Sequence, residues 1–389
     1  MNNVKYKYER TPYLITFKEQ SPFKETYGGE IGITTLKSHL LRPVGKESKT
    51  VVIFMHPIGG GEYLPMINSL AKGGNHVIYC QSRYPNNDTS LIMEKVAIDM
   101  GACIRDAKER LGYDKVVLAG WSGGGSLSLF YQSQAENPTI THTPAGDPVD
   151  LTAQNFIPAD GIMLLAAHLS RSHTMTEWID PAVIDEHDPS VRDPELDIYN
   201  PSNPNQPPYS DEFLQKFRAA QIERNRRITR WAKIKLQQLR DAGRPNDEFA
   251  FVVHSTMAEP KWLDPTIDPN GRKPNWCFLG DPQVVNNSPI GLARYSSLRS
   301  WLSQWSYDES NVNGLECASK ISIPALVIGN GADDAITPEH THKLFNAIPH
   351  SNKQFVIIEG ANHYYFGQPE KMAEAIELCN GWMAEQGLS

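Results

Sequence analysis

Hydrophobic and polar positions along this chain change period several times. Thr50–His56, His76–Arg83, Lys115–Trp121 and Gly161–Ala167 are short apolar runs, rich in β-branched residues and bounded by Gly, Pro or Asn. Such runs predict strands buried on both faces. Between the second and third run, Leu91, Val96, Ile98, Ala102 and Ile104 recur at helical spacing inside Asp88–Leu111, and Gly112 suits a helix C-terminus. The segments Tyr13–Lys18 and Ile31–Leu41 predict an antiparallel hairpin at a sheet edge. Alternating strand and helix is the signature of a doubly wound, mostly parallel α/β sheet.

The alternation stops near Leu169. From there to Lys320 the chain is rich in Pro, Asp, Trp and charge. Pro201–Pro208 reads as a loop, and Asp211–Ala242 as a long helix. Alternation then resumes with strand Pro324–Gly329, helix Pro338–Ala347, strand Lys353–Ile358 and helix Pro369–Gln386. The expected organisation is a core over 1–168 and 320–389, interrupted by a large, mainly helical cap over 169–319. That cap would cover the carboxyl edge of the sheet, where open α/β folds bind ligands.

Composition narrows the class. With 389 residues, 40% hydrophobic and 21% charged, the chain suits a folded globular protein. A net charge of −8 argues against a nucleic-acid partner. No apolar run reaches the ~20 residues of a membrane span, and no secretory leader is visible, so a cytoplasmic protein is expected. Cys80, Cys103, Cys277, Cys317 and Cys379 are scattered and form no C-x-x-C pair. Neither a disulfide framework nor a structural metal site is expected. Oligomeric state is left open, a homodimer included.

The chemistry concentrates at strand ends. Gly120-Trp121-Ser122-Gly123-Gly124 follows the run Lys115–Leu118 and precedes a helix-compatible stretch. Strand, tight Gly-flanked turn and helix make the setting in which a serine is presented as a nucleophile. A serine hydroxyl needs a base, and the base an orienting acid. Asp333 and Asp334 follow the strand ending at Gly329, and His363 follows the strand ending at Ile358. Loops at the carboxyl ends of parallel strands converge, so serine, carboxylate and histidine can meet.

These motifs, in this order, resemble the α/β-hydrolase superfamily. The likeness covers roughly 35–168 and 320–389. Gly331-x-x-Asp334-x-x-x-Pro338 resembles the family's acid loop, which selects Asp334 over Asp333, although Asp333 competes by spacing. Gly360-x-x-His363 resembles its histidine loop. His56-Pro57-Ile58-Gly59-Gly60-Gly61 stands where the family carries a His-Gly oxyanion loop, and Gln81-Ser82-Arg83-Tyr84 where many members carry Asp-x-Arg-Gly. Pro57 and Tyr84 depart from those patterns. The resemblance implies a serine hydrolase: Ser122 as nucleophile, His363 as base, Asp334 as acid. Backbone N–H groups of Gly123 and Ile58, with Gly59 in competition, would hold the oxyanion. No cofactor or metal is implied.

The implied substrate is a small-molecule carboxylic ester of a hydrophobic or moderately large acid. Thioester, lactone and carbon–carbon (ring-cleavage diketone) hydrolysis remain open, as does a non-catalytic receptor on the same scaffold. Dehalogenases and epoxide hydrolases, which resemble this fold but use an aspartate nucleophile, are disfavoured by Ser122. His56 is read as orienting the oxyanion loop, Arg83 as fixing a loop, and His168, placed at a strand end where it could face the cleft, as a satisfied structural histidine in preference. The nine Lys/Arg of 211–241, against four acids, are read as a solvated helix face. Trp262, Trp276, Trp301, Trp305 and Tyr307 are read mostly as the interior of the cap.

Overall fold

The computed structural model describes residues 5–19, 24, 32–62 and 64–389. Its main sheet has eight strands. They are β1 (Tyr8–Lys18), β2 (Ile33–Pro43), β3 (Thr50–Phe54), β4 (His76–Cys80), β5 (Lys115–Trp121) and β6 (Gly161–Leu165), with β9 (Ala325–Asn330) and β10 (Lys353–Ile358). Strands β7 (Ala250–Val252) and β8 (Tyr295–Ser297) form a separate antiparallel pair. The main order is β1-β2-β4-β3-β5-β6-β9-β10. Pairing is antiparallel for β1–β2 and β2–β4 and parallel elsewhere. The expected hairpin is thus present at one edge; Ile31, its predicted start, lies outside the described residues.

Side chains of the central strands divide alternately between two layers, as the strand period requires. Val51, Ile53, Val116, Leu118, Ile162, Leu164 and Val327 pack in one core with residues of α2 (Met93–Arg105) and α3 (Gly123–Glu136). Val52, Phe54, Val117, Ala119, Met163, Leu165, Leu326 and Ile328 pack in the other. That second core holds Ile67 and Leu70 of α1 (Pro65–Lys72) and Ile376, Cys379 and Trp382 of the C-terminal helix Pro369–Glu385. Burial on both faces explains why these strands read as unbroken apolar runs.

The chain between β6 and β9 contains α4 (Arg171–Trp178), the long helix α5 (Asp211–Asp241) and the β7–β8 pair. It has apolar cores of its own. Trp301 and Trp305 pack with Ile228 and Leu236 of α5, and Trp262 packs with Trp178. Two of the expected interior aromatics lie outside these cores: Tyr307 is half-buried, and Trp276 is exposed, with the Lys273 ammonium 4.2 Å from its ring centroid. The basic residues of α5 are engaged within the chain. Arg218, Arg226, Lys216, Arg230 and Lys233 pair with Glu259, Asp308, Glu195, Glu223 and Glu309. Arg224 and Arg227 share Glu186, Arg240 donates to the Ala145 carbonyl, and Lys235 lies over Phe249.

Hydrogen bonds tie this segment to both flanking parts of the chain. On the first half, Ser303 Oγ donates to Glu94 Oε2 at 2.7 Å and accepts from Met93 N at 2.8 Å. Burial pushes the Glu94 carboxyl up from its usual range. On the second half, Gly271 N donates to Gly331 O at 2.7 Å and Asn270 Nδ2 to Asp333 O at 2.9 Å. Trp262 Nε1 and Phe278 N both donate to the Asp334 carbonyl.

Candidate active site

Ser122 joins β5 directly to α3, and its φ of 51° and ψ of −121° are values an L-residue rarely adopts. The glycines around it permit the turn. A Cβ on Gly120 would lie 2.6 Å from Gly125 Cα, one on Gly124 2.6 Å from Met55 O, and one on Gly125 2.3 Å from Ala167 Cβ. Larger residues at these positions would push helix and sheet apart.

His363 follows β10 and is buried. Its Nδ1 lies 2.9 Å and 3.1 Å from the carboxylate oxygens of Asp333. The acid beside the histidine is therefore Asp333, which corrects the choice of Asp334 drawn from the resemblance to the family's acid loop. The physical reason is local. Asp333 is fully buried and its Oδ1 accepts from the N–H groups of Ala335 and Ile336 at 2.8 and 2.7 Å, which aims the carboxylate inward. Asp334, one residue on, is only partly buried and contributes its backbone carbonyl to the insertion. Burial, with the Asp333 charge next to it, pushes its carboxyl up to about 6. The loop pattern that selected Asp334 does not encode which of the two adjacent carboxylates is aimed inward.

Aromatic rings hold the histidine in place. Trp121, the variable residue of the serine motif, lies 4.7 Å from the His363 ring, centroid to centroid; Tyr364 lies 5.0 Å and Phe278 6.1 Å away. Ser122 and His363 line one cavity of about 720 Å³, without a hydrogen bond between them. Such contacts commonly tighten only when substrate arrives.

The expected oxyanion groups separate. Gly59 N donates to Tyr84 O at 3.1 Å, so its N–H is already taken; Gly59 is withdrawn as a candidate. Gly123 opens α3, and the first N–H groups of a helix lack intrahelical acceptors. Ile58 N has no acceptor among the described residues, and Ile58 lines the cavity. The loop carrying it is fixed from two sides: His56 Nδ1 lies 3.0 Å from Ile58 O, and Ser82 Oγ donates to Pro57 O at 2.6 Å. Arg83 anchors the neighbouring loop, bonding Asp99 and Glu19 in a buried cluster. His56 thus helps to fix its own loop, and Arg83 fixes the neighbouring one.

The insertion contributes the opposite wall. Thr174, Trp178, Phe278 and the segment Pro289–Tyr295 line the cavity. Arg171 reaches back to the core, bonding Asp88 and donating to Gln304 Oε1 at 2.9 Å, with Trp305 beneath it. Among the described residues no cluster of three or more His, Cys, Asp or Glu could hold a metal. No described helix is long and apolar enough to cross a membrane.

Solved structures with this architecture are numerous. An α/β hydrolase, GrgF, from Penicillium sp. sh18 aligns with a TM-score of 0.51 at 12% identity, over 96% of this chain and 99% of its own. A thermostable carboxyl esterase from Bacillus coagulans, in complex with glycerol, aligns at 0.50 and 12%, over 97% and 99%. DcsB, in complex with its substrate analogue, gives the same values. The chain has the α/β-hydrolase fold. No family model and no curated protein sequence matches it. In this α/β-hydrolase fold, serine, histidine and acid stand in the order Ser122, Asp333, His363, at the ends of β5, β9 and β10.

Proposed function

We propose that this chain is a serine hydrolase that cleaves a carboxylic ester through an acyl-enzyme on Ser122. The observation that carries the reading is the strained Ser122, set in the same cavity as a buried histidine whose Nδ1 is held by Asp333. Asp333 fixes the His363 tautomer so that Nε2 is the free base. His363 takes the Ser122 proton as Oγ bonds to the carbonyl carbon. The oxyanion forms against Gly123 N–H and Ile58 N–H. His363 then returns the proton to the departing alkoxide as the carbon–oxygen bond breaks. Water, deprotonated by the same histidine, releases the acid and restores Ser122.

Residues 169–319 act as a cap. Their apolar wall, with Trp178, Phe278 and Ile290, suits a hydrophobic part of the substrate. A cavity of about 720 Å³, walled by both the core and the cap, suits a small-molecule ester.

A fluorophosphonate probe tests the reading. Labelling should map to Ser122, vanish in Ser122→Ala, and be accompanied by turnover of p-nitrophenyl esters. A folded wild-type protein that resists the probe and turns over no ester would overturn it.

A further inference from the structure

The elbow glycine Gly123 is crowded by two imidazoles. A Cβ at Gly123 would lie 2.6 Å from His56 Nε2 and 3.2 Å from His168 Nε2, so both nitrogens converge on one small volume beside Ser122. Both rings line the cavity. The sequence reading of His168 as a satisfied structural residue does not hold. Its side chain is more than nine-tenths buried, and Nδ1 has no hydrogen-bond partner among the described residues.

The backbone brings His168 there at a cost. Ala166, just past β6, sits at φ 44°, a left-handed value unusual for a residue with a Cβ. Ala167 then packs its methyl into the space left by Gly125. Strain outside glycine tends to gather at working sites. Two neighbouring strand ends, β5 and β6, are strained here, and each delivers a polar side chain to the same cavity.

The protonation pattern defines what fits. His56 Nδ1 faces the Ile58 carbonyl, which can only accept, so Nδ1 carries the proton and Nε2 presents a lone pair. Burial, with Arg171 nearby, holds His56 neutral, its pKa pushed down to about 4. Burial also holds His168 well below the usual histidine range, with His340 and Arg171 adding to the effect. A neutral His168 has one N–H. A buried bare lone pair is tolerated better than a buried orphan N–H, which leaves the lone pair on the unpartnered Nδ1 and places the proton on Nε2. The site therefore offers one acceptor, His56 Nε2, and one donor, His168 Nε2–H. A hydroxyl group, which both gives and takes a hydrogen bond, is complementary to that pair.

We propose that His56 and His168 form a hydroxyl-binding subsite beside Ser122, and that the favoured acyl group carries a hydroxyl close to the scissile carbonyl. The inference rests on the hydrolase reading above.

Matched esters test it: ethyl 3-hydroxybutyrate against ethyl butyrate, and ethyl lactate against ethyl propionate. Wild-type kcat/KM should favour the hydroxy ester at least tenfold in one pair. His168→Leu should bring that ratio close to one, and His168→Gln, which keeps a donor, should retain part of it. Equal wild-type rates within both pairs, or a preference that survives in His168→Leu, would overturn the subsite. A binding measurement separates this outcome from failure of the hydrolase reading. In Ser122→Ala, calorimetry should show tighter binding of the favoured hydroxy acid than of its deoxy partner; equal binding would sink the subsite even if Ser122 is reactive. Wild-type ratios and this titration stand if the leucine variant does not fold.

Discussion

Asp333 Oδ2 lies 2.9 Å from His363 Nδ1, while Asp334, its immediate neighbour, gives the insertion its backbone carbonyl instead. Two residues of the same type thus take different tasks. Asp333→Asn should lower kcat/KM by about 10³–10⁴, because an amide there no longer enforces the productive histidine tautomer. Asp334→Asn should stay within a few-fold of wild type. Steady-state ester hydrolysis by both variants checks the ranking, and the opposite order would return the acid role to Asp334.

Asp334 also makes a pH-dependent stability prediction. Its carboxyl is raised from 3.8 to about 6 by burial and the Asp333 charge. Below about pH 4 the group is protonated folded or unfolded and has no effect on the balance. Between about pH 4 and about 6 the unfolded chain releases this proton while the folded protein keeps it, so stability is lost across that window and the loss is complete above 6. Asp334→Asn removes that loss. With discounting for partial solvent screening, the gain above pH 7 should be on the order of 1 kcal/mol, or about 1–2 °C in Tm. Thermal unfolding at pH 4 should show little difference between the two proteins, and at pH 8 the variant should melt higher.

The elbow makes a packing prediction. Gly125→Ala would set a methyl 2.3 Å from Ala167 Cβ, where helix and sheet approach closely. A loss of about 1–3 kcal/mol is expected, with impaired ester hydrolysis as Ser122 shifts. Gly381→Ala is the contrast. It lies within the C-terminal helix, a Cβ there meets nothing within 4 Å, and a gain of about 0.5–1 kcal/mol is expected. Denaturant unfolding of both variants would reveal whether the cost follows the close approach or simply the loss of a glycine.

Arg171 links the insertion to the core through Asp88. Arg171→Met should leave that carboxylate without its cation and cost about 3 kcal/mol. The 169–319 segment should become more sensitive to limited proteolysis than the sheet. Cleavage spread evenly over the chain, or an unchanged digestion rate, would argue against a clamp at this point.

Much of the core was legible because parallel strands buried on both faces leave unbroken apolar runs. Lys115–Trp121 falls where the pattern placed it, as does the half-buried edge strand Lys353–Ile358, and the serine turn follows from glycines whose spacing only a close helix–strand contact requires. Strand ends were less clear: Thr50–His56 ends at Phe54, and Gly161–Ala167 at Leu165. In both cases the apolar run continues into the loop that lines the cavity. The basic face of α5 read as solvent-facing, yet Arg224 is buried against Glu186 and three backbone carbonyls, because its partners lie on distant segments.

By itself, then, the sequence determined the alternating layers, the strained serine and the order in which serine, acid and histidine arrive, since each is written in local periodicity or turn chemistry. Tertiary structure alone decided which of two adjacent aspartates faces His363, that the Gly59 N–H is already spent on Tyr84, and that His56 and His168 converge over Gly123. Those outcomes depend on the direction in which a loop aims a side chain or an N–H. That direction is set by partners far away along the chain, whose placement no local pattern records.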